Sequence, residues 1–399
     1  MMRVASLVLI TLGWMLSQVA VACAQAPAAP PFATFLADLW PDAQAKGVSR
    51  KTFDAALAGV TADPRVVSLT QRQPEYGKPF GDYVAMLASA SRVKTGQAKA
   101  REWRDTLSAV EKTYGVDRNI LLAIWGAETS YGATKTPWDV IRSLATLAQM
   151  PFRPPYFRDE LITALTILQD GRVSRSEMRG SWAGAMGQPQ FMPSSYKTYA
   201  VDFTRDGHPD IWSSVPDIAA SIANYLRAHG WTPGLPWGFE VQLPEGYDYR
   251  QSSRASFAEW DARGLRTMDG RRFPNGDGIL FFPAGSAGPA FLVTENHNVL
   301  KRYNNSDAYA LAVGHLADGI AGRGPIRTAW PRDDRQLSLP ERIALQRKLA
   351  ELGFKVNDFD GRFDFDLRDN VRELQTRFGQ IPDGHPSVEL MRRLGLSPP

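Results

Sequence analysis

From Phe32 to about residue 230, apolar residues recur at three- and four-residue spacing, the periodicity of helices with one buried face. The pattern predicts helices over 35–45, 83–112, 118–127, 140–150 and 217–229. Ser49 and Thr52 stand where residues cap a helix over 53–57. From Trp231 to about Val293 the character changes. Gly and Pro become frequent, and the short runs 239–243 and 279–283 read as strands, so a small β-rich insertion is expected. Helical spacing returns over 307–320. Residues 322–337, with two glycines and two prolines, read as a linker. A compact helical module follows over 338–395, in which Ile343, Leu345, Leu349 and Leu352 suit one helix face. The expected fold class is mainly α, with a small β-rich insertion and a separate C-terminal three-helix module.

At 399 residues the chain has room for two or three domains. An apolar content of 44% with 22% charged residues is that of an ordinary globular protein, which argues against disorder and against a polytopic membrane protein. The formal charge of +4 is small, and no Lys/Arg run is dense enough for nucleic acid. A mildly basic surface still favours an anionic polymer. Arg3, the apolar run to Ala22 and the small residues around Ala24 read as an export signal over 1–24, followed by a leader over 25–31. The competing reading is an uncleaved membrane anchor. Cys23 is the sole cysteine, so no internal disulfide forms. Ala-Val-Ala-Cys also loosely matches a lipobox, which would make Cys23 a lipidation site and tie the chain to a membrane. Soluble export and lipid anchoring both stay open.

Two segments carry chemistry. In Leu121-Leu122-Ala123-Ile124-Trp125-Gly126-Ala127-Glu128-Thr129-Ser130-Tyr131-Gly132, an almost wholly apolar helix delivers one carboxylate at its end. An apolar setting disfavours the ionised form, as a general acid working near neutral pH requires. Gly126 and Gly132 are expected to leave room for a bulky substrate. The alternative is a glutamate at a helix end facing solvent. In the second segment, 181–196, Gly, amide, hydroxyl and aromatic groups alternate around Ser181 and Gln190. Sugars present flat apolar faces edged with hydroxyls, and such a loop suits them. The alternative is a tight turn between helices.

Glu-Thr-Ser-Tyr-Gly (128–132) followed by Gly-Ala-Met-Gly-Gln-Pro-Gln-Phe-Met-Pro-Ser-Ser-Tyr (184–196) closely resembles the membrane-bound lytic transglycosylase B family of peptidoglycan lyases. Gln73-Pro74-Glu75, Tyr83, Tyr114-Gly115-Val116, Ala223-Asn224-Tyr225-Leu226, His229-Gly230-Trp231, Tyr303-Asn304 and the 309–313 segment extend the likeness over roughly 32–320. The resemblance implies a lysozyme-like α+β catalytic domain over 32–321 with a helical extension. It implies that Glu128 protonates the glycosidic oxygen between MurNAc and GlcNAc. Glu128 then accepts the proton of the MurNAc 6-hydroxyl as that oxygen attacks the anomeric carbon, giving a 1,6-anhydro end without water. One carboxylate suffices where the substrate's own acetamido group stabilises the oxocarbenium centre. By the same likeness Ser181 and Gln190 orient the substrate, Tyr83, Tyr225, Tyr303, Asn304 and Tyr309 line the cleft, and Arg153 contacts a peptide or lactyl carboxylate. Each tyrosine could equally be a packing residue. Gln188-Pro189 departs from the family pattern. The 338–395 module resembles a peptidoglycan-binding domain, with a helical cap lacking any ligand as its alternative. A hydrolytic muramidase and a non-catalytic wall-binding protein are the rival functions. The implied partners are glycan strands and other wall-remodelling proteins, and the implied location is the periplasm of a Gram-negative-type bacterium, either soluble or on the outer membrane as a lipoprotein.

No cofactor is required by this chemistry. Residues 202–213 nevertheless follow EF-hand spacing, with Asp202, Thr204, Asp206, His208 and Asp210 at the ligand positions and Gly207 at the sharp turn. Ser213 stands where the bidentate Glu belongs, with Asp217 four residues on. A structural Ca²⁺ that braces this loop is one expectation, and an Asp/Gly turn held by its own hydrogen bonds is the other.

Overall fold

The computed structural model describes residues 31–70, 78–150, 153, 155–332 and 335–396. The export segment with Cys23, the leader up to residue 30 and Gln73-Pro74-Glu75 lie outside the described residues. Among the described residues no helix is long and apolar enough to cross a membrane.

The fold is mainly α. The Arg118–Thr129 helix is its axis. Every side chain from Ile120 to Trp125 is buried, and the helix packs against Ala90–Glu102, Arg104–Tyr114, Val215–Ala228 and Asp307–Ile320. Each buried Leu or Ile contributes roughly 1.5–3 kcal/mol, so displacing this helix would forfeit several such contributions at once. Asp117 caps its start by accepting the Asn119 amide at 2.7 Å. Gly314 allows the Asp307–Ile320 helix to approach the Trp237 ring, where an added Cβ would lie 2.3 Å from the indole. A second core joins Phe32–Ala37, Trp40–Ala45 and Arg50–Leu57 to Val140–Gln149 and Tyr156–Gln169.

Periodicity located the helical regions but not their interruptions. The stretch 35–45 is two helices, because Pro41 in the first turn of Trp40–Ala45 cannot continue a preceding helix. The stretch 83–112 is three helices, Phe80–Leu87, Ala90–Glu102 and Arg104–Tyr114. Three- and four-residue spacing survives such breaks, since each piece still buries its own face. Ser49 caps Arg50–Leu57 as expected, accepting the Thr52 amide. The β-rich stretch is an antiparallel sheet in the spatial order Ala255–Ser256, Asp277–Phe281, Ala290–Val293, Gly238–Gln242, Arg266–Thr267. Trp260, fully buried, closes one face, with its indole donating to the Gly278 carbonyl at 3.0 Å.

The C-terminal helices Leu339–Glu351, Phe365–Arg377 and Val388–Arg393 enclose their own core of Leu345, Leu349, Val371, Leu374 and Leu390. This module lies against the sheet side of the body. Phe365 meets Phe281 edge to face, the Arg372 guanidinium donates to the Leu280 carbonyl, and Asp383 accepts the Ser286 amide at 2.8 Å.

Within the module, Glu341 forms a capping box with Ser338 and pairs with Arg335 at 2.7 Å. The hydrogen bond from Arg335 holds the Glu341 carboxyl down at about 2, against an ordinary value of 4.5. A depressed carboxyl contributes stability that is present above the unfolded value and lost as pH falls through the folded one. Glu341→Gln should therefore lower the melting temperature at neutral pH. The gap from the parent should close between pH 4.5 and about 2 in a calorimetric pH series.

Candidate active site

Glu128 sits in the last turn of the Arg118–Thr129 helix and is half-buried. The chain reverses immediately afterwards, since Ser130, Tyr131 and Gly132 all take left-handed backbone at φ 51°, 60° and 81°. This corrects one expectation. A Cβ on Gly126 would lie 2.6 Å from the Tyr131 ring, and one on Gly132 would lie 2.5 Å from Gln188 Oε1. Both glycines admit the protein's own side chains, not a substrate. The Tyr131 hydroxyl donates to the Arg92 carbonyl at 3.0 Å, and its ring meets Trp125 edge to face, so the reversal is locked.

The Tyr309 hydroxyl donates to Glu128 Oε1 at 2.6 Å. Tyr309 is buried near the start of the Asp307–Ile320 helix. Its burial and then the Glu128 charge push its ionisation well above the ordinary tyrosine value, so it remains a donor across physiological pH. Tyr303 lies parallel to it with ring centres 6.3 Å apart. Tyr225 meets Tyr303 at 5.0 Å, and Phe191 contacts both rings. Tyr83 is half-buried against the same core and close enough to act on the ionisation of Tyr309. The structure thus brings Glu128, Tyr83, Tyr225, Tyr303 and Tyr309 into one aromatic-walled cluster. Two of the hydroxyls have backbone partners: Tyr225 donates to the Arg302 carbonyl at 2.6 Å and Tyr303 to the Pro189 carbonyl at 2.8 Å.

The 181–191 loop is a tight structure in its own right. Met186 and Phe191 exchange backbone hydrogen bonds, and Ser181 closes the front of the loop through its amide and its hydroxyl, both on Ala185. Gln190 takes left-handed backbone at φ 55° and donates its side-chain amide to the Gly187 carbonyl at 2.7 Å. Both side chains therefore shape the loop that borders Glu128. Asn304 is exposed at the end of the Glu295–Asn304 helix, and Arg153 is exposed in left-handed backbone near Tyr156.

Sequence reasoning undervalued Gln188. Its Oε1 accepts from the Trp125 indole at 2.6 Å and its amide donates to the Trp212 carbonyl at 2.7 Å. Its backbone carbonyl accepts from the Thr129 hydroxyl at 3.0 Å. One residue therefore joins the loop to the Arg118–Thr129 helix. The departure Gln188-Pro189 was the available signal, though a local motif does not disclose a partner 63 positions away. Glu160 is another buried acid, but it caps the Pro193–Tyr199 helix through the Ser194 amide and hydroxyl.

The 202–213 loop is self-bonded. Asp202 accepts the Asp206 and Gly207 amides and the Thr204 hydroxyl. Asp217 accepts the Phe203, Thr204 and Asp210 amides, while Ser213 bonds Asp210. His208 lies beside Asp206, 3.5 Å from its carboxylate. Among the described residues no three His, Cys, Asp or Glu side chains converge as a metal site. The donor set offers Asp202, Asp206 and Asp210 but no carboxylate at position 213, so it fits a dedicated Ca²⁺ only in part.

An acid fed by an apolar helix, held by a permanent donor and walled by aromatic rings, can deliver and retrieve a proton beside a polysaccharide. Residues 31–318 match the transglycosylase SLT domain family, and residues 338–394 match the peptidoglycan binding domain family. Escherichia coli membrane-bound lytic murein transglycosylase B is 34% identical over 245 residues, which is 60% of this chain and 66% of that protein. Among solved structures, Pseudomonas aeruginosa SltB3 in complex with NAG-anhNAM-pentapeptide is 44% identical, with a TM-score of 0.84 over 92% of this chain and 99% of that one. The E. coli lytic transglycosylase Slt35 in complex with calcium is 30% identical, with a TM-score of 0.59 over 74% of this chain and 93% of that one.

Replacing Tyr309 by Phe removes the donor that favours the ionised carboxylate. The expected result is a roughly tenfold fall in kcat, KM within about twofold, and an alkaline limb of the kcat–pH profile moved to higher pH. A profile that does not move would count against Tyr309 acting on Glu128.

Proposed function

The chain belongs to the transglycosylase SLT domain family, and from that premise we propose that it cleaves the MurNAc–β-1,4–GlcNAc bond of peptidoglycan without water, with Glu128 as acid and then base. The observation that carries the reading is the Glu128 carboxyl at the end of a buried apolar helix, held at 2.6 Å by Tyr309 within a wall of tyrosines. Glu128 gives its proton to the bridging oxygen as the C1–O4 bond breaks. The MurNAc 6-hydroxyl then forms the C1–O6 bond and returns its proton to Glu128, so the enzyme ends as it began. The substrate's acetamido group shares the positive charge at C1 in between. SltB3 is known in complex with both NAG-NAM-pentapeptide and NAG-anhNAM-pentapeptide, so a relative holds a muropeptide that carries the anhydro end such a step would make. On this reading Tyr83, Tyr225, Tyr303, Asn304 and Arg153 line the path of the glycan. Ser181 and Gln190 keep the bordering loop in shape.

We assign catalysis to residues 32–321, a linker to 322–337 and wall attachment to 338–395. The natural place for such an enzyme is the periplasm, where its polymer lies. Ca²⁺ is proposed only as a weak structural ion of the 202–213 loop, because Ser213 supplies no carboxylate where the bidentate ligand belongs.

Glu128→Gln should lower strand cleavage by at least ~10²-fold while pelleting with insoluble wall stays near that of the parent. Mass spectrometry of the parent's digest should give ends lighter by one water than reducing ends. Reducing ends would establish a hydrolase instead. Addition of 1 mM CaCl2 should raise the melting temperature by less than about 2 °C, the linkage expected for a millimolar site. A rise well beyond that would identify a dedicated ion site.

A further inference from the structure

The start of the Asp307–Ile320 helix faces two ways. Residues two apart on a helix point about 200° from each other. Tyr309 reaches inward to Glu128, while Asp307 reaches outward to the C-terminal module. There the Arg368 guanidinium lies 3.0 Å from Asp307 Oδ2, with both side chains largely shielded from water. Arg368 is fixed in turn. It stacks over the Phe281 ring at 4.8 Å and also contacts the Gly384 carbonyl. Lys301 holds the other Asp307 oxygen at 2.7 Å, and the buried His297 ring stands 3.9 Å away. Burial alone would raise the Asp307 carboxyl, yet Lys301, His297 and Arg368 keep it well below the usual range.

A second clasp lies two residues earlier in the chain. Asn305 takes left-handed backbone between the two helices that carry Tyr303 and Tyr309. With its amide oxygen turned toward the module, it accepts from the Arg362 guanidinium at 2.9 Å. Both arginines belong to the C-terminal module, and both grip the short turn from which Tyr303, Asn304 and Tyr309 project. Nothing about tethering to the wall calls for contacts at this turn.

We propose that the C-terminal module is a working part of the catalytic site: Arg368, through Asp307, is a positioning residue that sets the Tyr309–Glu128 contact. The inference rests on the reading of Glu128 given above. A displacement of about 1 Å in a reacting constellation can cost ~10²-fold in rate. Without Arg368 the Asp307 carboxylate keeps Lys301 as its only close cation among the described residues, so the pull on the start of the helix becomes one-sided and the carboxylate swings toward that lysine. The helix start would then shift with Tyr309 on it, while Tyr303 stays held by the Pro189 carbonyl and by the Phe191 and Tyr225 rings, so the sugar-facing wall keeps its packing.

The test uses the full chain with Arg368→Met and Arg368→Lys on soluble glycan strands freed of their peptides, beside the parent and Glu128→Gln. Arg368→Met should lose about tenfold in kcat with KM within twofold. Its alkaline kcat–pH limb should move in the same direction as that of Tyr309→Phe, and Arg368→Lys should recover part of the loss. Pelleting with insoluble wall, measured in the Glu128→Gln background, should change less than twofold. If Arg368→Met does not fold, Arg368→Lys decides by the same kcat, KM and pH readouts. Parental kcat and an unmoved pH limb in folded variants would overturn the inference, as would kcat and pelleting falling in proportion. Cleavage surviving in Glu128→Gln would overturn the catalytic reading itself, and this inference with it.

Discussion

The structure depends on the burial of one helix that ends in an acid. Ile120 to Gly126 are sealed on all sides by four other helices, so the Arg118–Thr129 helix cannot rotate or slide without opening the main core. Close packing makes such an interior rigid. Glu128, two residues beyond the sealed stretch, inherits that rigidity while reaching the edge where the core gives way to tyrosines.

The surrounding elements converge on this fixed point by hydrogen bonds between distant parts of the chain. Gln188 ties the glycine-rich loop to Trp125 and to the Trp212 carbonyl, and Tyr303 ties the same loop to the Glu295–Asn304 helix. The backbone reversal at Ser130–Gly132 costs strain at two non-glycine residues, a cost sustained only where the surroundings over-determine the conformation. Tyr131, wedged between Trp125 and Arg92, is what over-determines it. Rings that look available for sugar stacking thus serve partly as the joinery of the site, which is why packing and binding readings of a tyrosine could not be separated beforehand.

The C-terminal module has its own core yet shares buried polar contacts with the body at Asp307, Leu280 and Ser286. An attachment that served only to hold the enzyme near its polymer could hang on the linker alone. The observed docking instead meets the sheet and the turn preceding the Tyr309 helix. Module and body are therefore mechanically continuous in this chain.

Much was legible in the one-dimensional pattern. Helical spacing located the Arg118–Thr129 and Asp307–Ile320 helices, because burial of one face imposes a short-range period. The isolated carboxylate at the end of an apolar run was visible for the same reason, as was the change to short strands after Trp231. Three things belong to the tertiary structure alone. The hydroxyl that holds Glu128 comes from 181 residues away, the amide that holds Trp125 from 63, and the guanidinium that holds Asp307 from 61. Gly126 and Gly132 proved to accommodate Tyr131 and Gln188, neighbours that no local motif reveals. A periodic pattern reports which side of an element faces inward. What it meets there depends on the path of the whole chain, since hydrogen bonds and steric fit are properties of pairs brought together only by folding.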